Sequence, residues 1–476
     1  MKEKVEQHLS TVPLKQIWVS AVVLLFLLSV FIIQKPILLI LLLFISFIAW
    51  YSLSIDFQYK DVHLVAFLLF ASILLPPVTA LPGFPDIRVE ELFFFLLFPL
   101  LLLLKNKENQ DPFLRYFLYA LLAFGGAVFV SIYYGKFVLG VPLSLSDHFE
   151  LLKVFKLFIV VFLISRLNLS QKNIYTLLYV IVFSFLLSAI IGLMQFYGIL
   201  GFDQITAPFY AAERIYDVHN RMMGTFYNPN TYGTALTIGA IVSLGLLFYE
   251  KKTNRRIFLF LTVILLAFSI ALTQSRTAVV VVLFAFILIT LLNFIRKQFS
   301  VKKLLIILIV TTIVLLGITG LLADQILIRF MALGDISEDM SWKMRLLAWY
   351  LNLTLFSESI LLGWGPAKMI HTTIVDSEYI LILRRYGLIG FSFYILLYFI
   401  PLLRSYMIQK MGGIKELIGQ IVFVSTTVFL IANITNPLFH EIQFMDLWAL
   451  LLGIFFAVSL NSENNFQRED KEKPFD

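Results

Sequence analysis

The 476-residue chain has no cysteine, only six histidines, and charged residues at only 14% of its positions. Without cysteine there are no disulfides, thiolate nucleophiles or thiolate metal sites. So little charge excludes an ordinary soluble domain, in which about a quarter of residues are charged. Hydrophobic residues make up 60% of the chain, and the mean hydropathy is +0.90. The formal charge of +7 is modest. Its lysines and arginines gather between apolar runs, so it reads as membrane topology and not as nucleic-acid binding. Residues Met1 to Gln16 are polar, and no small-residue cleavage site follows the first apolar run, so a cleaved signal is not expected.

Apolar runs long enough to cross a hydrocarbon core of about 30 Å lie near 16–34, 36–54, 62–80, 90–104, 114–134, 150–166 and 173–199. Others lie near 229–249, 256–273, 277–295, 303–322, 379–403, 415–435 and 442–460. The fold class is therefore an all-α polytopic membrane protein, with roughly 12–14 transmembrane helices. The longest interruption, Ala323 to Ser377, carries charges of both signs and Trp342, Trp349 and Trp364. A bilayer interior cannot hold it, because unsatisfied backbone and charge there cost several kcal/mol each. Within it, the spacing of Met344 to Leu355 predicts an amphipathic helix on the membrane surface. Gly363-Trp364-Gly365-Pro366 predicts a turn. The expected units are N-terminal spans over 1–199, spans over 200–322, an external loop subdomain over 323–378, C-terminal spans over 379–460 and a charged tail over 461–476.

Orientation follows from the basic residues. With a cytoplasmic N-terminus, cytoplasmic turns hold Arg166 and Lys172, Lys251 to Arg256, Arg296 to Lys303, and Arg404 to Lys415. Both termini are then cytoplasmic, and the 203–227 segment, the 273–277 turn and the long polar segment face outward. Arg276 thus sits in a short outer turn where the rule predicts no cation. Arg214 and Arg221 precede the span opened by Asn228-Pro229-Asn230.

That Asn-Pro-Asn sequence reads as a helix start, with Asn at the N-cap and Pro at the first helical position. A helix N-terminus beside Arg221 also attracts anions, and arginine meets diphosphate oxygens with a forked donor pair. Arg276 has two readings: a cation snorkelling to headgroups, or a partner in that diphosphate site. Lys153 and Lys156 share a helix face, where they either snorkel or help hold a lipid phosphate. Asp376 stands at the mouth of a span, as a functional carboxylate or simply as that helix's N-cap. His371 lies five residues earlier. No carboxylate or histidine spacing suggests a metal.

Several of these residues resemble, in order and spacing, the O-antigen polymerase and ligase superfamily. They are Arg221 to Asn230, Ser275-Arg276, Arg345 with Trp349, Gly363-Trp364-Gly365, Asp376 to Ile380 and Tyr386 to Gly390. The resemblance covers roughly the C-terminal half. It implies an inverting, metal-independent and cofactor-free glycosyltransferase of the membrane-embedded GT-C type, acting on polyprenyl-diphosphate-linked glycan at the outer face of a bacterial inner membrane. It also implies flippase and chain-length regulator proteins as partners. Carried over by motif, Arg221 and Arg276 hold the donor diphosphate and Arg345 is a further site residue. Arg214, Asn228, Asn230, His371, Lys153 and Lys156 complete the expected substrate-binding set. Ligases of the family carry a histidine followed by Asn or Ser where this chain has Asp376-Ser377. Whether Asp376, His371 or no side chain acts as base is left open.

Overall fold

The computed structural model describes residues 60–75, 88, 111–207, 219–226, 228–296, 340–371 and 375–460. The expected spans near 16–34, 36–54, 90–104 and 303–322, residue Arg214, the 323–339 part of the polar segment and the tail lie outside the described residues.

Among the described residues every long element is a helix, and eight helices are long and apolar enough to cross a membrane. In chain order the helices are α1 (Lys60–Leu74), α2 (Pro112–Phe137), α3 (Leu145–Ile164), α4 (Gln171–Phe196) and α5 (Pro229–Tyr249). They continue as α6 (Thr253–Leu272), α7 (Arg276–Ile295), α8 (Met340–Glu358), α9 (Glu378–Ile408), α10 (Gly413–Ala432) and α11 (Ile442–Leu460). The expected spans from 114–134 onward, apart from 303–322, correspond to helices within a few residues. α3 is 20 residues long but is not one of the eight apolar helices; it carries Asp147, Glu150, Lys153 and Lys156.

Short connections make successive helices antiparallel, so the bundle has two distinct ends. The basic end holds Arg166, Lys172, Lys251 to Arg256, Arg296 and Lys410. The loop end holds 138–144, 219–226, 228, 273–276, 359–371, 375–377 and 433–441. α5 sits inside, packed on α4, α6, α7 and α10. Its Gly233 permits this: a Cβ there would lie 2.5 Å from the Ala278 Cβ on α7. The starts of α5 and α7 are thereby held in contact, as small residues do between membrane helices. α11 is buried between α1, α3 and α10. A knot of aromatic rings (Phe124, Tyr394, Tyr398, Phe429, Phe439 and Trp448) fills the centre.

α9 is broken at Gly387, whose φ of 63° and ψ of −167° are not helical. Backbone freed at membrane depth must be satisfied by protein, and the strap over 359–366 does so. Leu388 N donates to Ile360 O (2.8 Å) and Ile389 N to Leu361 O (3.2 Å). In return Trp364 N donates to Arg384 O (2.9 Å) and Gly365 N to Arg385 O (2.8 Å). Ser131 of α2 braces the join, donating to Arg385 O and accepting from Gly365 N. The expected Gly-Trp-Gly-Pro turn is this strap, with Gly363 and Gly365 both at positive φ.

α8 carries Met344, Leu347, Tyr350 and Leu351 outward and exposed, while Asn352 is buried toward the protein. An outward apolar face suits a helix lying on lipid. Trp342 and Trp349 stack edge to face, 5.8 Å between centroids.

Candidate functional site

At the loop end, three constructions bring distant residues together. The first joins the 219–226 segment to the α6–α7 turn. Met222 N donates to Leu272 O (3.0 Å), Arg221 Nε to Thr273 O (3.0 Å) and Gln274 Nε2 to Asn220 O (2.6 Å). Asn228 caps α5 by accepting from Asn230 N (2.9 Å), with Pro229 at the first helical position, as the sequence predicts. Arg221 Nη2 then donates to Asn230 Oδ1 (2.7 Å). Ser275 caps α7 by accepting from Ala278 N, which leaves Arg276 as the first helical residue, half-buried. Arg221, Asn228, Asn230 and the turn of Arg276 therefore share one corner of the bundle. Thr277 ties that corner to the α10–α11 connection through Thr435 Oγ1 at 2.6 Å.

The second construction is an ion pair between Arg345 Nε of α8 and Asp376 Oδ2, 2.8 Å apart. The N-cap of α9 is Ser377, so the capping role considered for Asp376 falls away; its carboxylate faces Arg345 instead. His371 is not joined to this pair by any hydrogen bond. Its ring stands edge-on to Trp364 at 5.5 Å, and its buried Nε2 has no hydrogen-bond partner. Burial, with Arg384 nearby, pushes the His371 pKa below its ordinary value.

The third construction surrounds Glu150 of α3. Its Oε1 lies 2.6 Å from Lys368 Nζ, 3.4 Å from Lys153 Nζ and 3.7 Å from Arg385 Nη1. Its Oε2 lies 3.5 Å from His440 Nε2. Fully buried Glu378 meets His440 Nδ1 at 2.6 Å and accepts from Phe439 N at 3.0 Å. Burial pushes the Lys368 ammonium below its usual pKa, with Glu150 opposing. His440 also lies below its ordinary value, because burial outweighs the pull of Glu378.

Lys153 and Lys156 do not snorkel to the surface. Lys156 is 5% exposed and pairs with Asp446 of α11 at 2.7 Å. Lys153 turns to Glu150 and to His440 O (3.4 Å). Although they share a helix face, they belong to different contacts.

Glu150, Glu378, Lys368, Arg385 and His440 were not among the candidates drawn from the sequence. One signal was available: Arg384-Arg385 lies in an apolar run near the expected outer end of a span, the same exception that singled out Arg276. Glu378 lay within the Asp376 to Ile380 motif, but for Glu150 there was no signal, since pairing across 290 positions is invisible to local pattern.

Among the described residues, no group of three or more histidine or acidic side chains is placed to hold a metal. A search among curated proteins finds no match. Residues 261–395 match the sequence profile of a family described as O-Antigen ligase. This stretch runs from within α6 into α9 and contains Arg276, Arg345, His371 and Asp376; Arg221 lies before it and is hydrogen-bonded into its 273 turn. Over this stretch, somewhat more than a quarter of the chain, the protein is similar to the O-antigen ligase family.

Proposed function

We propose that the protein is a surface-polysaccharide polymerase on the outer face of the cytoplasmic membrane, transferring a growing lipid-linked glycan onto the next lipid-linked repeat unit. The observation that carries this reading is the corner at which Arg221, fixed to Thr273 O and Asn230 Oδ1, meets the α6–α7 turn that leads into Arg276. Two cations and the N-terminus of α5 converge there from separate elements, an arrangement suited to a diphosphate.

In the reaction, an acceptor hydroxyl oxygen attacks the donor's anomeric carbon. A new C–O bond forms, the bond to the diphosphate oxygen breaks, and the electron pair leaves with the polyprenyl diphosphate. Arg221 and Arg276 stabilise the charge that develops on the leaving group, commonly the largest catalytic contribution. The hydroxyl proton passes to a base, for which we propose Asp376. Arg345 holds that carboxylate in place, and a base must sit within about 3 Å of the proton it takes. The configuration at the anomeric carbon inverts.

The family description favours a second reading, a ligase that passes the glycan to another acceptor. Full-length protein in nanodiscs, supplied with lipid-linked repeat units alone, distinguishes the two. Longer glycans with released polyprenyl diphosphate support the polymerase; transfer only after a different acceptor is added supports the ligase.

A further inference from the structure

We propose that the cluster around Glu150 is a second anion site and binds the diphosphate of the acceptor lipid-linked glycan. This rests on the polymerase reading, in which both substrates end in a lipid diphosphate and two such groups must be held at once.

The argument starts from a surplus of donors. Three cationic side chains, Lys153, Lys368 and Arg385, lie within 4 Å of the single Glu150 carboxylate. The neighbouring carboxylates are committed elsewhere. Glu378 is taken by His440 Nδ1 and Phe439 N. Asp147 closes the cap of α3 with Ser144 and accepts the Lys368 backbone N–H. Arg385 Nε and Nη1 are buried and have no hydrogen bond. A buried cluster with more donors than acceptors is costly by itself and becomes favourable when a ligand brings the missing oxygens. A diphosphate supplies several such oxygens, and charge-assisted bonds to them are the strong kind.

The cluster is also reachable. The Lys153 and Lys368 side chains are 25% and 28% exposed, whereas Glu150 is 5% exposed. The two lysine side chains are therefore partly open to solvent, while the carboxylate lies beneath them. The 433–441 connection links this site to the Arg276 corner, since Thr435 bonds Thr277 at one end and His440 O accepts from Lys153 at the other. Two anion sites on one end of the bundle, joined by one connection, fit a transfer between two lipid-anchored chains.

The test is binding stoichiometry of full-length protein in phosphatidylcholine nanodiscs, with a sugar-free polyprenyl diphosphate as probe. The wild type is expected to bind two molecules per chain, and Arg221→Ala one. Lys153→Gln/Lys368→Gln is also expected to bind one, while Lys153→Arg/Lys368→Arg, which keeps the charge, restores two in a monodisperse protein. One molecule in the wild type, or two in the glutamine variant, overturns the proposal. So does displacement from this site by excess phosphatidylglycerol, which would make the occupant a phospholipid headgroup. In elongation assays the glutamine variant should raise the acceptor KM about tenfold, the loss of roughly one charge-assisted bond, with the donor KM unchanged. A wild type that transfers only to a different acceptor sinks the polymerase reading by itself, and the stoichiometry still reports whether the second site exists.

Discussion

The two ends of the bundle solve the same problem differently. At the basic end Asp111 and Arg296 are saturated. Asp111 caps α2, pairs with Arg404 Nε at 2.7 Å and accepts from Ser459. Arg296 spends its donors on Glu416 Oε1 (2.8 Å) and on the carbonyl and side chain of Gln409. At the loop end, three lysine and arginine groups crowd one carboxylate, and Arg384 is 1% exposed with a single bond to Pro366 O (3.3 Å). In a network that only braces helices most buried groups are satisfied; the unpaired donors at the loop end fit the ligand proposed there. On the proposed function, the loop end is the working end.

Four experiments sharpen or break that comparison. The largest effect is all-or-none. Single cysteines can be placed in this cysteine-free chain, and an impermeant reagent added outside should label Ser357→Cys and spare Lys252→Cys. The opposite pattern would invert the assignment of ends.

Next comes the base. Asp376→Asn should slow elongation by about 10²–10⁴-fold, and His371→Gln far less, with donor binding kept in both. Wild-type turnover in Asp376→Asn removes it as base. If Asp376→Asn and Arg345→Gln have equal effects that do not add, the pair only positions its surroundings.

Arg221→Ala and Arg276→Ala should each cost roughly 10²–10³ in rate, by analogy with loss of one oxyanion donor, at unchanged protein level. Lysine at either position should rescue in part, since it keeps charge but loses the fork. Near-normal polymer from either alanine variant would take that residue out of the diphosphate site.

The smallest effect on rate belongs to the basic end. Arg404→Ala leaves Asp111 uncompensated and should destabilise the protein by about 3–5 kcal/mol, seen as earlier thermal aggregation in detergent, while folded protein turns over normally. A large loss of rate per folded molecule would erase the distinction between the ends.

How much of this was legible beforehand differs sharply between elements. α5 starts at Pro229 and ends at Tyr249, the limits of the apolar run, because N-capping and bilayer length are local rules. The Ser275-Arg276 start was legible for the same reason. The break in α9 was not: Gly387 lies in a run that reads as one continuous span, and only the strap from residues 359–366 makes the break tolerable. For the site, the Arg221 corner was anticipated as a set, yet the stitching that joins it through Thr273 and Gln274 was not.

By itself the sequence determined the membrane class, the described span limits, the clustering of basic residues at one end and the cations that break that rule. Each depends on the chemistry of neighbours within about a helical turn or on the length of one apolar run. Only the tertiary structure decided which charges neutralise each other: that Lys156 belongs to Asp446 and Lys153 to Glu150, that Asp376 answers Arg345 instead of capping a helix, and that Glu378 holds His440. Desolvation makes a buried charge take whatever partner packing brings within a few ångströms, and separation along the chain says nothing about which partner that is.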